Sequence, residues 1–431
     1  MKNHLLFVVL AGVVAACGST ETVVAQPAPA PTDPAPVTPP VTTPTKPVVD
    51  HGAPSTKYPA FTPAMGQLAN NGGATLPHPV IVTVTWADDE KADDVEALGD
   101  TIGASPYWAA TNAEYGSGAA VSGPENHVRL PDAAPTSMSD TQLATFVSTN
   151  VANGTFPTPA TGEPIYVLHL QKATKLMLNG QNACAQGVGG YHDSTKVGLK
   201  SVAYAIVPRC GSSFDSVTVA LSHELSEAAS DPYPRVHPAW TGFGQDDLAW
   251  EFFQQFQSEN GDACEFYRDS DLRAGTESGL AYTVQRIWSN KSAAAGHDPC
   301  VPALKNAVFF NTTPLDLEDV PVDLTTLGGD ITTTKGFKVA VGETRTIPLG
   351  LYSDGPTADW TIRATPGGIA SRGQTNVELS LDVESGTNGQ KAYLTITVNE
   401  AGKTGSELIS IVSTKGSTSH YMPIIISSPE K

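Results

Sequence analysis

The chain has 431 residues, 40% of them hydrophobic and only 16% charged, with 34 prolines and 39 glycines. That length predicts two or three folded units with real cores, and the proline and glycine content predicts a long unstructured stretch and many turns. Against 25 Lys and Arg stand 44 Asp and Glu, a formal net charge of -19, and such a polyanion repels phosphate backbones and anionic lipid, which argues against nucleic acid or a polybasic membrane patch.

The chain opens with Met1-Lys2-Asn3-His4 and the apolar run Leu5 to Ala16. This run is too short to span a bilayer and reads as the core of a secretory signal. No apolar run of the ~20 residues needed for a spanning helix follows it. Val14-Ala15-Ala16-Cys17 resembles a bacterial lipobox, so residues 1–16 are expected to be a lipoprotein signal peptide and Cys17 the acylated first residue. Acyl chains contribute about 0.8 kcal/mol per buried CH₂, and Cys17 is the one expected membrane attachment. Gly18 after the cysteine favours the outer membrane. Residues 17–61, rich in Pro, Thr, Ala and Val, read as a disordered tether with polyproline II character.

The first folded unit is expected over residues 62–303. Pro79 to Trp86, Ile165 to Leu170 and Val202 to Val207 are β-branched or aromatic runs of strand length. Between them, Val95 to Tyr115 has helical spacing broken at Pro106. Thr141 to Val151 carries Leu143, Phe146, Val147 and Val151 on one stripe behind Ser139 or Asp140 as N-cap. Strands alternating with helices fit either α/β or α+β layering, and the scarcity of continuous apolar strands favours α+β.

Setting Cys17 aside leaves Cys184, Cys210, Cys264 and Cys300. Outside the cytoplasm these should pair, and four cysteines allow three connectivities. The expected pairs are Cys184–Cys210 and Cys264–Cys300, which close the shorter loops. No two of them stand a ligand-like step apart, which argues against a cysteine zinc cluster.

Phe214 to Ser230 reads FDSVTVALSHELSEAAS. Val217, Leu221, Leu225 and Ala228 form an apolar stripe, Ser212 or Ser213 is the expected N-cap, and Asp231-Pro232 the stop. His223 and Glu227 stand four apart, so both reach one point in space, as two ligands of one metal ion must. Glu224 is swung about 100° around the axis and flanks that point. The arrangement resembles the HExxH helix of zinc peptidases with Glu227 in place of the second histidine. Carried over, His223 and Glu227 are Zn²⁺ ligands and Glu224 is the general base. A catalytic zinc needs a third protein ligand. Asp262, in Ser258-Glu259-Asn260-Gly261-Asp262-Ala263-Cys264, is the first candidate, with Glu259, His192 and His237 as alternatives.

Residues 304–431 are expected to be an immunoglobulin-like β-sandwich without a disulfide. Val377, Leu379, Leu381 and Val383 alternate with polar residues, as do Leu394, Ile396 and Val398. Nothing in this unit suggests chemistry, and its expected role is a spacer or cap.

The first unit resembles a family of secreted bacterial proteins marked by SHELxEAxxDP, distantly similar to the plant phosphate-induced, EXORDIUM-like proteins. The matching pieces are Ser105-Pro106-Tyr107-Trp108 with Glu114-Tyr115-Gly116, Ile165-Tyr166-Val167, Gly190-Tyr191-His192, Ser222 through Pro232, Gly261-Asp262-Ala263-Cys264, and Trp288-Ser289-Asn290. The resemblance implies an extracellular protein with a zincin-like helix and brings the acidic cysteine loop near it. Two functions follow as expectations: a lipid-anchored zinc hydrolase acting on protein or peptide, or a non-catalytic surface or adhesion lipoprotein whose cluster holds a structural or vestigial ion.

Overall fold

The computed structural model describes residues 49–254, 258–368, 376–402 and 405–428. The expected signal peptide, Cys17 and the tether as far as residue 48 lie outside the described residues.

Strand β1 (Pro79–Trp86) is buried at every position, as a strand covered on both faces must be. It is followed by α1 (Ala92–Ile102), α2 (Pro106–Asn112), β2 (His127–Leu130), α3 (Asp140–Ala152), β3 (Glu163–Leu170), β4 (Tyr191–Val197), β5 (Lys200–Pro208) and α4 (Asp215–Ser230). Pro106 opens α2, where its missing N–H costs nothing, and the Ser105 hydroxyl accepts from the Trp108 N–H. Ser139 and Gln142 close a capping box at the start of α3. The cap position of α4 is Phe214, and of the two serines expected to cap it Ser213 accepts from the Asp215 N–H at 3.2 Å.

The sheet order is β2-β1-β3-β5-β4. The β2–β1, β1–β3 and β3–β5 pairs are parallel, and edge strand β4 runs antiparallel to β5. One face packs Ile81, Ile165, Val167, Ala205 and Val207 against α1, α2 and α4. The other packs Val82, Val84, Tyr166, Leu168 and Tyr204 against Leu143, Val147 and Val151 of α3. The layering is therefore α/β, with helices on both faces, which corrects the α+β expectation. The strands that read as too weakly apolar are buried through alanine and tyrosine: Ala203, Tyr204 and Ala205 of β5 are all buried.

After α4 the chain forms α5 (Leu248–Phe253) and the single turn α6 (Asp262–Glu265), then enters the sandwich. Its strands are β6 (Phe310–Pro314), β7 (Glu318–Asp323), β8 (Ile331–Lys338), β9 (Thr344–Ser353), β10 (Trp360–Pro366), β11 (Val377–Leu381), β12 (Lys391–Val398), β13 (Ser406–Lys415) and β14 (Thr418–Ser427). One sheet has the order β6-β9-β12-β11, and the other contains β7-β8-β14-β13-β10. Lettering β6, β9, β10, β11, β12, β13 and β14 as A to G gives an A-B-E-D sheet facing G-F-C, the immunoglobulin arrangement. Trp360 is buried on strand C, where that fold keeps its core tryptophan. The β8–β14 pair is parallel, so the sandwich is not wholly antiparallel.

Two features depart from the expected boundaries. Residues 51–61, read as tether, lie along the sandwich: Lys391 N–H donates to the His51 carbonyl at 2.7 Å, and the Asn388 amide donates to the carbonyls of Ser55 and Lys57 at 2.9 Å each. Backbone hydrogen bonds to an ordered edge hold a segment whose own composition has little to bury. The second departure is that one hydrophobic cluster runs across residue 304. It joins Trp250, Ala263, Cys264, Tyr267 and Trp288 to Phe309, Phe310, Tyr352 and Met422, and His51–Lys431 form one unit.

Both disulfides have the expected pairing, Cys184–Cys210 and Cys264–Cys300. They fit an extracytoplasmic chain. Among the described residues no helix is long and apolar enough to cross a membrane.

The shared core predicts cooperative unfolding. Trp250→Ala removes a side chain 1% exposed at the junction and should cost about 3–5 kcal/mol by urea denaturation. Tyrosine signals of the α/β part and the sandwich should move through one midpoint, and two separate midpoints would contradict the shared core.

Candidate metal centre

Helix α4 is apolar and small on three sides because it lies under β5 and β4 and over a ribbon formed by Asp271–Leu272 and Val284–Gln285. From Leu221 to Ser230 every residue is buried. His223, Glu224 and Glu227 are 9%, 4% and 3% exposed, so they are not a solvated helix face. Burying such groups unpaired is costly. Glu227 lies in the last turn of α4, where the helix dipole is negative and adds to the cost of its carboxylate.

His223 Nε2 stands 3.0 Å from Glu227 Oε1 and 3.6 Å from Asp262 Oδ1. Two donors each about 2.1 Å from one ion at a tetrahedral angle stand about 3.4 Å apart, so the spacing suits three corners of a zinc site. The imidazole is held from outside. Its Nδ1 donates to Gln285 Oε1 at 3.0 Å, because the Gln285 amide nitrogen is committed to the Gly261 carbonyl at 2.7 Å. That bond leaves Nε2 as the nitrogen facing the carboxylates, the arrangement seen where outer partners orient a metal-ligating histidine. Gln285 is in turn positioned by its neighbour Arg286, buried against Asp269 and Asp298 and the carbonyls of Cys300 and Pro302.

Asp262 reaches this point through a loop pressed onto the helix. A Cβ on Gly261 would lie 2.8 Å from Glu227 Oε1 and 2.9 Å from His223 Cε1, so only glycine permits the approach. The Asp262 N–H donates to Glu227 Oε1 at 3.2 Å. Cys264, two residues on, is tied to Cys300. Asp262 is the most exposed of the three, its side chain 37% accessible, so the group opens to solvent on its side.

His192, from β4, lies against the opposite oxygen of Glu227. Its Nδ1 is 3.3 Å from Glu227 Oε2 and 3.7 Å from Glu224 Oε2. Its Nε2 donates to the Asp231 carbonyl at 3.0 Å and stands 3.6 Å from Glu259 Oε2. The structure thus brings together two groups of possible ligands that share Glu227: His223, Glu227 and Asp262, and His192, Glu224 and Glu227. The alternatives for third ligand do not join His223. Glu259 faces His192 while its N–H donates to Asp262 Oδ2, and His237 is exposed and belongs to neither group. A Cβ on Gly190 would lie 2.6 Å from Glu224 Oε1, which makes that glycine a close approach and not only a turn residue.

Electrostatics follow from this packing. Burial works against charge on both imidazoles, but Glu259, Glu224 and Glu227 hold His192 well above the usual range, and Glu227 and Asp262 do the same for His223. Burial pushes Glu224 and Glu259 up. For Glu227 burial is outweighed by His223 and His192, which hold it well below the usual carboxylate range. Sequence reasoning missed Gln285, whose place in a two-residue strand carries no motif.

No family model and no curated protein matches the chain. Similar solved structures include a chimeric titin Z1Z2 functionalized with a KLER exogenous peptide from decorin, at 16% identity over 29% of this chain and 99% of that one, TM-score 0.18. Titin M4 in a trigonal form is 13% identical over 22% of this chain and 86% of that one, TM-score 0.16. The twitchin kinase region from C. elegans is 10% identical over 22% and 15%, TM-score 0.16. None of these likenesses bears on the chemistry of the cluster.

The directions above set a pH dependence for the chelator-treated protein. Groups raised in the folded state (His192, His223, Glu224, Glu259) contribute stability that is complete below their ordinary values and is lost as pH rises. Within the cluster only Glu227 acts oppositely, its contribution falling away below its ordinary value near 4.5, and outside it burial lowers His169 and His420, whose contributions grow until pH passes their ordinary value of 6.5. The melting temperature of the metal-free chain should therefore fall from pH 7 to pH 9, above the window in which His169 and His420 oppose the cluster, and added zinc, which replaces protons, should flatten the curve. A metal-free curve rising over that range would contradict the arrangement.

Proposed function

We propose that the chain is a lipid-anchored, extracytoplasmic zinc-dependent hydrolase acting on peptide bonds. The observation that carries this reading is the set of three donors on His223, Glu227 and Asp262, two of their separations 3.0 and 3.6 Å, with Glu224 one residue along the same helix. His223, Glu227 and Asp262 would hold the ion, whose chemistry is to polarise the scissile carbonyl and acidify water. Glu224 takes a proton from the attacking water and returns it to the leaving amine, and burial, by raising its pKa, suits it to that exchange. The HExxE spacing, the covering sheet and the resemblance to the SHELxEAxxDP family support a zincin-like assignment. The lipobox at Cys17 supports anchoring, Gly18 supports the outer membrane, and the two disulfides support a site outside the cytoplasm.

A second reading is a non-catalytic surface lipoprotein with a structural ion. It is favoured by the depth of Glu224, 4% exposed, and by Glu227, whose negative charge makes a bound ion a weaker Lewis acid than in HExxH.

The two readings part in one experiment. Full-length protein is analysed for zinc and assayed for chelator-sensitive peptidase activity beside Glu224→Gln. The hydrolase reading expects at least one zinc in both proteins and a roughly 10²–10⁴-fold lower kcat in the variant. Zinc without any activity in the parent, together with a lower melting temperature in His223→Ala, is the outcome of the structural-ion reading.

A further inference from the structure

We infer that the centre binds two divalent cations bridged by Glu227, the second held by His192 Nδ1 and Glu224; this rests on the metal-binding reading above. The two halves of the cluster are built alike. His223 donates from its outer nitrogen to Gln285 and turns the other toward Glu227 Oε1 and Asp262. His192 donates from its outer nitrogen to the Asp231 carbonyl and turns the other toward Glu227 Oε2 and Glu224 Oε2, at 3.3 and 3.7 Å. In each half the inner ring nitrogen faces two carboxylate oxygens at the spacing of ligands around one ion, and with that nitrogen unprotonated the three acceptors repel unless something positive sits between them.

Independent observations point to a cation on the His192 side. Glu224 is 96% buried, at 4% exposure, and its one ion-pair partner among the described residues is His192, beyond hydrogen-bond distance. Around His192, Glu227 and Asp231 are buried and the Glu259 side chain is 12% exposed, and Asp231 Oδ2 and Glu259 Oε1 have no partner among the described residues. No described lysine or arginine pairs with any of these carboxylates; their ion pairs are with the two histidines. One divalent ion leaves that negative charge under-compensated, and two bring it close to balance. A carboxylate offering one oxygen to each ion suits the 3.5–4 Å separation of two-metal hydrolase sites. The mixed nitrogen and oxygen donors suit Zn²⁺ or Mn²⁺. Glu224 Oε2 goes to the second ion, which leaves its other oxygen for the proton transfer proposed above.

The test uses chelator-stripped full-length protein titrated with zinc alone, read by calorimetry and by metal analysis after gel filtration. The expected result is two equivalents in the parent, one in His192→Phe and one in Asp262→Asn. Should His192→Phe lose its fold by circular dichroism, Glu224→Gln removes the other ligand of the same ion and should also retain one equivalent. Mn²⁺ loading adds a spectroscopic readout: an exchange-coupled paramagnetic resonance signal in the parent that becomes an isolated-ion spectrum in the variant. One equivalent in the parent that His192→Phe leaves unchanged overturns the second site while the first stands, with a proton then occupying the His192 side. Two equivalents that survive His192→Phe and Glu224→Gln overturn it as well. No bound zinc at all overturns both readings.

Discussion

The constraint on which the rest of the structure depends is the burial of two imidazoles against five carboxylates, Glu224, Glu227, Asp231, Glu259 and Asp262, with no described lysine or arginine paired to them. Leaving such charges unpaired costs several kcal/mol per ion even after relaxation, so the arrangement persists only with positive charge inside it. Protons can supply that charge, which is why both histidines are held above their usual range. Divalent cations supply it with less dependence on pH. The two imidazoles, each locked by an outer hydrogen bond, turn their inner nitrogens toward opposite oxygens of Glu227.

Holding five acidic and two basic groups to such spacing requires rigid surroundings. The helix contributes His223, Glu224 and Glu227 at fixed intervals, and the antiparallel edge strand contributes His192. Asp262 arrives on a loop with little regular structure of its own. Its position is secured by Gly261 pressed against the helix, by the Cys264–Cys300 disulfide, and by Gln285 and the buried Arg286 behind it. The sandwich adds a further support: Tyr267, a few residues past Asp262, packs its ring against Tyr421 and His420. The C-terminal part is thus a buttress of the acidic loop, the cap and not the spacer of the two roles its composition suggested.

The lengths of Pro79–Trp86 and of the α4 helix, the Pro106 break and the Ser139 cap were legible because each follows from local chemistry: β-branching, 3.6-residue periodicity, a missing N–H, a hydroxyl at a helix start. The disulfide pairing was legible from loop length. The parallel order of the sheet was not, because strands buried through alanine and tyrosine look weakly apolar in isolation. Residues 51–61 were misread for a related reason. A proline-rich segment has no core of its own, and its order comes from hydrogen bonds donated by an edge more than 300 residues away in the chain.

The sequence by itself determined that His223 and Glu227 face one point and that Glu224 flanks it, since helix geometry dictates the direction of side chains four apart. It also narrowed the third acid to a short cysteine-pinned loop. Tertiary structure alone decided that Asp262 and not Glu259 completes the His223 group, that His192 occupies the other side of Glu227, and that Gln285 sets the ring nitrogen facing inward. Those outcomes depend on how β4, the acidic loop and the 284–285 ribbon close over one helix. Contacts between segments 30 to 60 residues apart leave no periodicity or spacing for a linear reading to detect.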